Sequence, residues 1–527
     1  MMKWVVIGEE KGYIKLVSKN NTPGLLPKGS YLTVERGQNK FILRVDESLQ
    51  SEPYTPSPMV IDMNLSPLRQ DQKCQNIIYA KRVRDLNERE DGLIDFIPSQ
   101  SIARRANQDE IEFALGNEKT KDGPIVMLST IYSNRSQVLT DEELKTITVR
   151  LPIDMFYHQM LICGKTGSGK TVASKYLAQY FVEEMNGAVL AVNVKDVDFL
   201  MMDRPTKSYN KEVLNEWQNL CFKPRGIDNF TVYFPANIGF ETAPDITVSK
   251  CRSITMDVKE IDPEALSGLI RGISDIGAQN LPNIFRYWQE NKKRNNTDFT
   301  FNDFVNYFAR AEEDGRHFRT MNSRGDESTD ITLHSGTFNN LLRNLVNASE
   351  FFDNKQAITI DYNDILYPGK MSVINVSGKK GVEFGSILLR HLLHRIVDAK
   401  SQKKSNVPIL IIIDEVHQFY NTESSKETLG DIDTICRTGR SQEIGVIFSS
   451  QNPSDIPTGL SSVINTKIFF KTDITSPKVH GINFSPDEIE NLRTGYAAVS
   501  IHNLSQVKSV KFPLSLSGVL EKENNNG

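Results

Sequence analysis

The stretch Gly164-Lys165-Thr166-Gly167-Ser168-Gly169-Lys170-Thr171 constrains the fold of this chain more than any other. It fits G-x-x-x-x-G-K-[ST], in which glycines let backbone amides wrap phosphates, the lysine reaches the β and γ phosphates, and the hydroxyl residue holds Mg²⁺. Such a loop works between a strand and a helix, and both neighbours read that way. Met160 to Cys163 is a short apolar run, and Ala173, Tyr176, Leu177, Tyr180 and Phe181 recur at helical spacing on one face. A nucleotide cradle from Gly164 to Val172 is therefore expected, with ATP and Mg²⁺ as its ligands.

A cradle serves transferases, switches and motors alike, so acids elsewhere must discriminate. Residues 408–415 read PILIIIDE, a buried-type strand ending in two carboxylates. Asp414 is placed to hold Mg²⁺ with Thr171, and Glu415, one residue on, to polarise an attacking water. That pairing suits hydrolysis, whereas a nucleotide kinase has no use for an activated water. A further apolar strand ends at Gln451, whose amide can sense a γ-phosphate or orient water, and Arg437 and Arg440 share a helical spacing from which one of them can reach a neighbouring subunit's nucleotide. The expected catalytic set is Lys170, Glu415, Gln451, Arg440 and Arg437.

Composition narrows the setting. The chain has 527 residues, more than one core usually holds, and 39% hydrophobic with 24% charged residues argues against global disorder. No apolar run reaches the length of a membrane span, and the N-terminus lacks a signal-peptide core, so a cytoplasmic location without membrane attachment is expected. Cys74, Cys163, Cys221, Cys251 and Cys436 show no zinc spacing. His391 and His394 lie three apart without further ligands, and Trp4, Trp217 and Trp288 read as core or interface anchors. A net charge of -4 means that any polyanion must meet a local basic patch; Lys292-Lys293-Arg294 and Lys403-Lys404 are the obvious runs, each more simply a solvated turn.

Along the chain, residues 1–150 are strand-rich, with a hairpin expected about Arg36 to Asn39, and predict a small β-barrel. Within them, 66–115 turn polar and charged, which reads as solvated helix or loop. Residues 151–255 and 356–515 alternate strand and helix, the signature of a parallel α/β core interrupted by a helical insertion at 256–355. Asp262-Pro263 looks like a helix start, NKKRNNTD and SRGDESTD read as loops, and 516–527 is a polar tail.

Taken in order, GKTGSGKT, VNVKDVDF, PILIIIDEVHQF, RTGR and IFSSQNPSDIP resemble the HerA family of hexameric DNA translocases, in the HerA/FtsK branch of P-loop ATPases. GYIKLV and PKGSYLTVE are similar to the HAS-barrel that precedes the ATPase there. The resemblance implies a RecA-like core, a homo-hexameric ring with ATP at subunit interfaces, and double-stranded DNA in a central pore. It also implies a separate nuclease, such as NurA, or another effector docked on the barrel, in DNA repair or antiviral defence. The turn after the second core strand departs from the family's usual Asp-Pro-Lys-Gly-Asp, reading Asn193 to Asp198 here, and His158 occupies the neighbourhood upstream of the loop where the family would place a trans-acting arginine. Two other readings remain: an ATP-dependent scaffold that assembles an effector, and a secretion or conjugation ATPase of the same branch.

Overall fold

The computed structural model of the chain describes residues 4–18, 26–36, 39–51, 75–85, 96–115, 125–132, 135–141, 143, 145–195, 198–237, 250–269, 275–419, 435, 439–456, 461, 463–504 and 506–520. They fall into two compact units: Met1–Met155 with Gly167–Gly169 and Lys467–Pro513, and Phe156–Thr166 with Lys170–Thr466 and Leu514–Gly527.

The first unit begins with a closed β-barrel. Its strands are β1 (Trp4–Glu10), β2 (Tyr13–Ser18), β3 (Tyr31–Arg36), β4 (Asn39–Ser51), β5 (Gln75–Asp85) and β6 (Ile102–Arg105), in the order β1-β2-β5-β4-β3-β6. β6 pairs with both β1 and β3, so no edge is left to recruit another chain. Alternating residues fill the interior, among them Trp4, Val6, Leu16, Val34, Leu43, Val45 and Ile78. The expected hairpin is present, with Arg36 opposite Asn39. The segment PMVIDMNL, read as a strand, lies outside the described residues.

The charge-rich stretch 66–115 departs from expectation. Its middle is β5, and 108–115 form a helix, Gln108–Leu115. In β5 the inward Ile78 and Ala80 are fully buried, while Arg82 and Arg84 lie over the rings of Phe41 and Phe113. The charged run Lys81, Arg82, Arg84 and Asp85 at the end of this strand masks the apolar alternation before it, so the stretch looks, in sequence, like a solvated loop. The unit also carries β7 (Ile125–Tyr132), β8 (Arg135–Val138), β9 (Thr148–Arg150), β19 (Thr466–Phe469), β20 (Tyr496–Ser500) and β21 (Ser509–Lys511), ordered β19-β20-β21-β7-β8, with β9 beside β7.

The second unit is built on a parallel sheet of β10 (Met160–Cys163), β11 (Ala188–Asn193), β12 (Phe230–Pro235), β13 (Cys251–Ile254), β16 (Met371–Asn375), β17 (Ile409–Ile413) and β18 (Ile444–Ser450). The order is β13-β12-β16-β11-β17-β18-β10, the RecA-like arrangement expected of the core. β10, β11, β16, β17 and β18 are buried throughout, as parallel strands covered on both faces must be. The helix after the phosphate loop, Lys170–Glu183, is buried on more than the one predicted face: Ser174, Lys175, Ala178 and Gln179 are also inside.

Between β13 and β16 lie the helices Asp275–Arg294, Phe301–Arg310 and Ser335–Ala348, joined by an aromatic core in which Phe308 packs on Phe318 and Phe338, with ring centroids 4.8 and 5.1 Å away. Three local expectations change here. Asp262-Pro263 opens a 3₁₀ segment, Pro263–Leu269. The run Lys292-Lys293-Arg294 closes a helix, where cations complement the carbonyl end of its dipole. The supposed loop SRGDESTD enters β15 (Glu327–Thr332), which pairs with β14 (His317–Met321) in a hairpin whose exposed side chains conceal the strand pattern. No helix among the described residues is long and apolar enough to cross a membrane.

Candidate functional site

Three strand ends assemble the site. β18 lies between β10 and β17, in a register that sets Cys163 opposite Ser450 and Ile413 opposite Phe448. The phosphate loop, the acid pair and Gln451 therefore leave the sheet side by side at its carboxyl edge, where open parallel sheets place ligands. Gly164 is tied there by its amide, which donates to the Ser450 carbonyl at 3.1 Å. Lys165 and Thr166 are exposed, Lys170 is buried, and Thr171 and Val172 are half-buried in the first turn of the helix. The loop's middle, Gly167–Gly169, is held by Gly495, whose amide donates to the Ser168 carbonyl at 3.0 Å. Gly169 has φ +109°, and a Cβ there would stand 2.9 Å from the Gly495 nitrogen, so both conformation and space demand glycine.

Glu415 is the hub. It adopts a left-handed backbone, φ 47° and ψ 54°, which a residue with a side chain holds only when its surroundings enforce it. Its Oε1 lies 3.4 Å from Lys170 Nζ and 2.7 Å from Lys195 Nζ, and accepts from Gln451 Nε2 at 3.2 Å. Burial pushes the Glu415 carboxyl up, but the Lys195 hydrogen bond, the Lys170 charge and the Gln451 amide outweigh it and hold the group below its ordinary range. The other oxygen, Oε2, is buried without a hydrogen-bond partner, 3.7 Å from His417 Nδ1.

Asp414 is fixed by Ser449, whose Oγ donates to Oδ1 at 2.7 Å, while its Oδ2 is a buried acceptor with no partner. Asp198 stands beside it, its own Oδ2 without a hydrogen-bond partner and 3.9 Å from Lys195 Nζ; burial, and then the Asp414 charge, raise the Asp198 carboxyl above its usual value. Behind them Lys175 is buried, donates to the Gly518 carbonyl at 2.8 Å, and has its pKa lowered to about 8 by burial, against the pull of Asp198 and Asp414.

Vacant acceptors at Asp414 and Glu415, beside a buried lysine and the first helical turn bearing Thr171, fit a nucleotide with Mg²⁺. Among the described residues no cluster of three or more His, Cys, Asp or Glu forms a metal cage by itself. That suits Mg²⁺, which takes one or two carboxylates and completes its shell with phosphates and water. Thr171 and Asp414 would hold the ion, which would neutralise charge on the phosphates.

Of the residues expected in the site, the structure thus brings Lys170, Asp414, Glu415 and Gln451 together. Arg440 is exposed in a helical turn before β18, and Arg437 lies outside the described residues. Lys195 and Ser449 were not anticipated. Their signal lies in VNVKDVDF and in the polar end of IFSSQ, motifs that give these side chains no role until the strands are placed side by side. His391 and His394 serve Asp262: the Asp262 amide donates to His391 Nδ1 at 3.2 Å, and His394 pairs with the Asp262 carboxylate. Cys163 is a buried thiol whose pKa burial drives far up, which makes it inert.

Comparison with known proteins gives this geometry relatives. Curated proteins similar to the chain include the DNA double-strand break repair helicase HerA of Sulfurisphaera tokodaii, 26% identical over 29% of this chain and 33% of that protein. The proteins of the same name from Sulfolobus acidocaldarius and Saccharolobus solfataricus are 25% and 22% identical over 41% and 73% of this chain, and 44% and 69% of theirs. The chain thus spans less than half the length of the first two. Among solved structures, the bacterial conjugative coupling protein TrwB superposes with a TM-score of 0.46 at 15% identity, covering 71% of this chain and 88% of that one. VirB4 of Thermoanaerobacter pseudethanolicus gives 0.45 at 12%, covering 74% and 96%. The family model described as the central domain of helicase HerA matches residues 134–397, half of the chain, and on that match the chain belongs to the HerA helicase family.

Proposed function

We propose that the chain is an ATP-hydrolysing motor that assembles as a hexameric ring and translocates on double-stranded DNA, with a separate nuclease or antiphage effector docked on its barrel. The observation that carries the reading is the convergence of Lys170, Glu415 and Gln451 at one sheet edge, with Glu415 held ionised. A group that must accept a proton from water needs to be a carboxylate at working pH, and here two lysines and an amide keep it so.

The contact of Lys170 with Glu415 is a resting arrangement. When phosphates enter the loop, Lys170 turns to them, and Glu415 retains Lys195 and Gln451 as its anchors. Gln451 orients the attacking water, Glu415 takes its proton, and the loop amides with Lys170 stabilise charge on the departing phosphate. The relatives named as DNA double-strand break repair helicases support DNA as the substrate. A ring repeats each exposed lysine or arginine around its channel, which lets a chain with net charge -4 track phosphates. Arg440, exposed before β18, is our choice for the residue that reaches a neighbouring subunit's nucleotide.

Steady-state ATP hydrolysis with and without blunt duplex DNA tests this reading, with Lys170→Ala as the blank. Stimulation by duplex that weakens with salt is the expected result; hydrolysis indifferent to DNA overturns the autonomous motor.

A further inference from the structure

A cleft of about 880 Å³ opens in the first unit, and no residue of the phosphate loop lines it. That volume lies in the range of small-molecule sites. One wall is a row across the barrel: Tyr31 on β3 stands opposite Arg44 on β4, which stands opposite Lys81 on β5. Directly opposed residues point to the same face, so phenol, guanidinium and ammonium are neighbours there. Lys478 and Lys508 line the same cleft.

The charges do not cancel. Its two acids are already engaged: Asp46 pairs with Lys81 at 3.6 Å and accepts from the Tyr13 hydroxyl at 3.0 Å, and Glu488 pairs with Lys28 at 2.9 Å. Arg44, Lys478 and Lys508 remain, with no ion pair among the described residues. The Arg44 guanidinium is engaged with the Tyr31 hydroxyl, yet its buried Nη1 has no acceptor of its own. A buried donor without an acceptor costs on the order of 1–3 kcal/mol, more for a charged group. Lys508 is held below its ordinary range by burial and then by the Arg44 charge, as befits two cations facing one space. Phe484 and the exposed Val479 add apolar surface to the lining.

We propose that this cleft binds a phosphorylated small molecule of mononucleotide size, with Arg44 Nη1 as principal donor to its phosphate and Lys508 and Lys478 supplying further charge. A planar guanidinium with a free N–H suits a phosphate oxygen, and the space beyond exceeds what bare phosphate fills. The proposal does not depend on hydrolysis at the phosphate loop.

Isothermal titration of the full chain carrying Lys170→Ala tests it, with AMP, inorganic phosphate and adenosine as probes. AMP lacks the β and γ phosphates that Lys170 reaches. The expected result is AMP binding, no heat from adenosine, weaker binding of inorganic phosphate, and a loss of about tenfold or more on adding Arg44→Gln, as for one charged hydrogen bond. Lys508→Gln is expected to weaken AMP severalfold and serves if Arg44→Gln fails to fold. In the background with Lys170 intact, Arg44→Gln is expected to leave basal ATP hydrolysis unchanged. Silence with AMP, or AMP heat indifferent to both substitutions, overturns the site. Equal affinity for inorganic phosphate overturns the mononucleotide and assigns the cleft to phosphate alone.

Discussion

Lys195 is the residue whose role owes most to three dimensions. Burial alone would raise the Glu415 carboxyl, and Lys195, 2.7 Å away, leads the groups that reverse this. Glu415 is useful as a base only when ionised, so activity is lost as pH falls through its folded pKa. Replacing Lys195 by Met removes the strongest lowering contact and is expected to move the acid limb of kcat/KM upward by about one pH unit, the effect of one nearby opposite charge. A profile from pH 5 to 9 checks this: an acid limb shared with the wild type refutes the tuning role. In sequence, Lys170 and Glu415 carried their chemistry on their faces, being fixed by a spaced motif and by an acid pair ending an apolar strand. Lys195 did not, because an exposed-looking lysine in a turn acquires meaning only once β11 is laid beside β17.

At the scale of elements, legibility followed burial symmetry. Strands buried on both faces, such as Ile409–Ile413, were visible as apolar runs. β5 and β15 were not, because β5 ends in a run of charged residues that masks its buried Ile78 and Ala80, and β15 is exposed almost throughout. The helix Lys170–Glu183 was legible as a helix but not as one enclosed on most sides, since Lys175 and Gln179 look solvated until their partners, the Gly518 and Arg225 carbonyls, are known. The phosphate loop itself offers a contrast between two glycines. Gly167 has φ +79° with open space around a would-be Cβ, whereas Gly169 has φ +109° with the Gly495 backbone 2.9 Å from that position. Gly167→Ala pays only for its backbone conformation, about 1–2 kcal/mol. Gly169→Ala must also displace a backbone that cannot swing aside, so it is expected to weaken ATP binding at least tenfold more than Gly167→Ala. Nucleotide titration of the two variants decides, and equal losses would show that conformation alone sets the requirement.

For the whole molecule, the competing uses of hydrolysis are separable through Glu415. Its carboxylate is anchored by Lys195, Lys170 and Gln451, and an amide of the same shape keeps hydrogen-bonding capacity while losing proton affinity and charge. Glu415→Gln is therefore expected to bind ATP and to hydrolyse it about 10²–10⁴-fold more slowly, the usual contribution of a positioned base. A motor in this state assembles on duplex DNA and stalls: sedimentation reports an intact ring with ATP, while displacement of a triplex-forming strand from the duplex, driven by the wild type, stops. A scaffold behaves otherwise, since its wild type assembles with ATP but never displaces the third strand. Displacement by the wild type that also tracks salt, falling as phosphate contacts are screened, would support the proposed ring, in which each subunit's basic residues repeat around the channel.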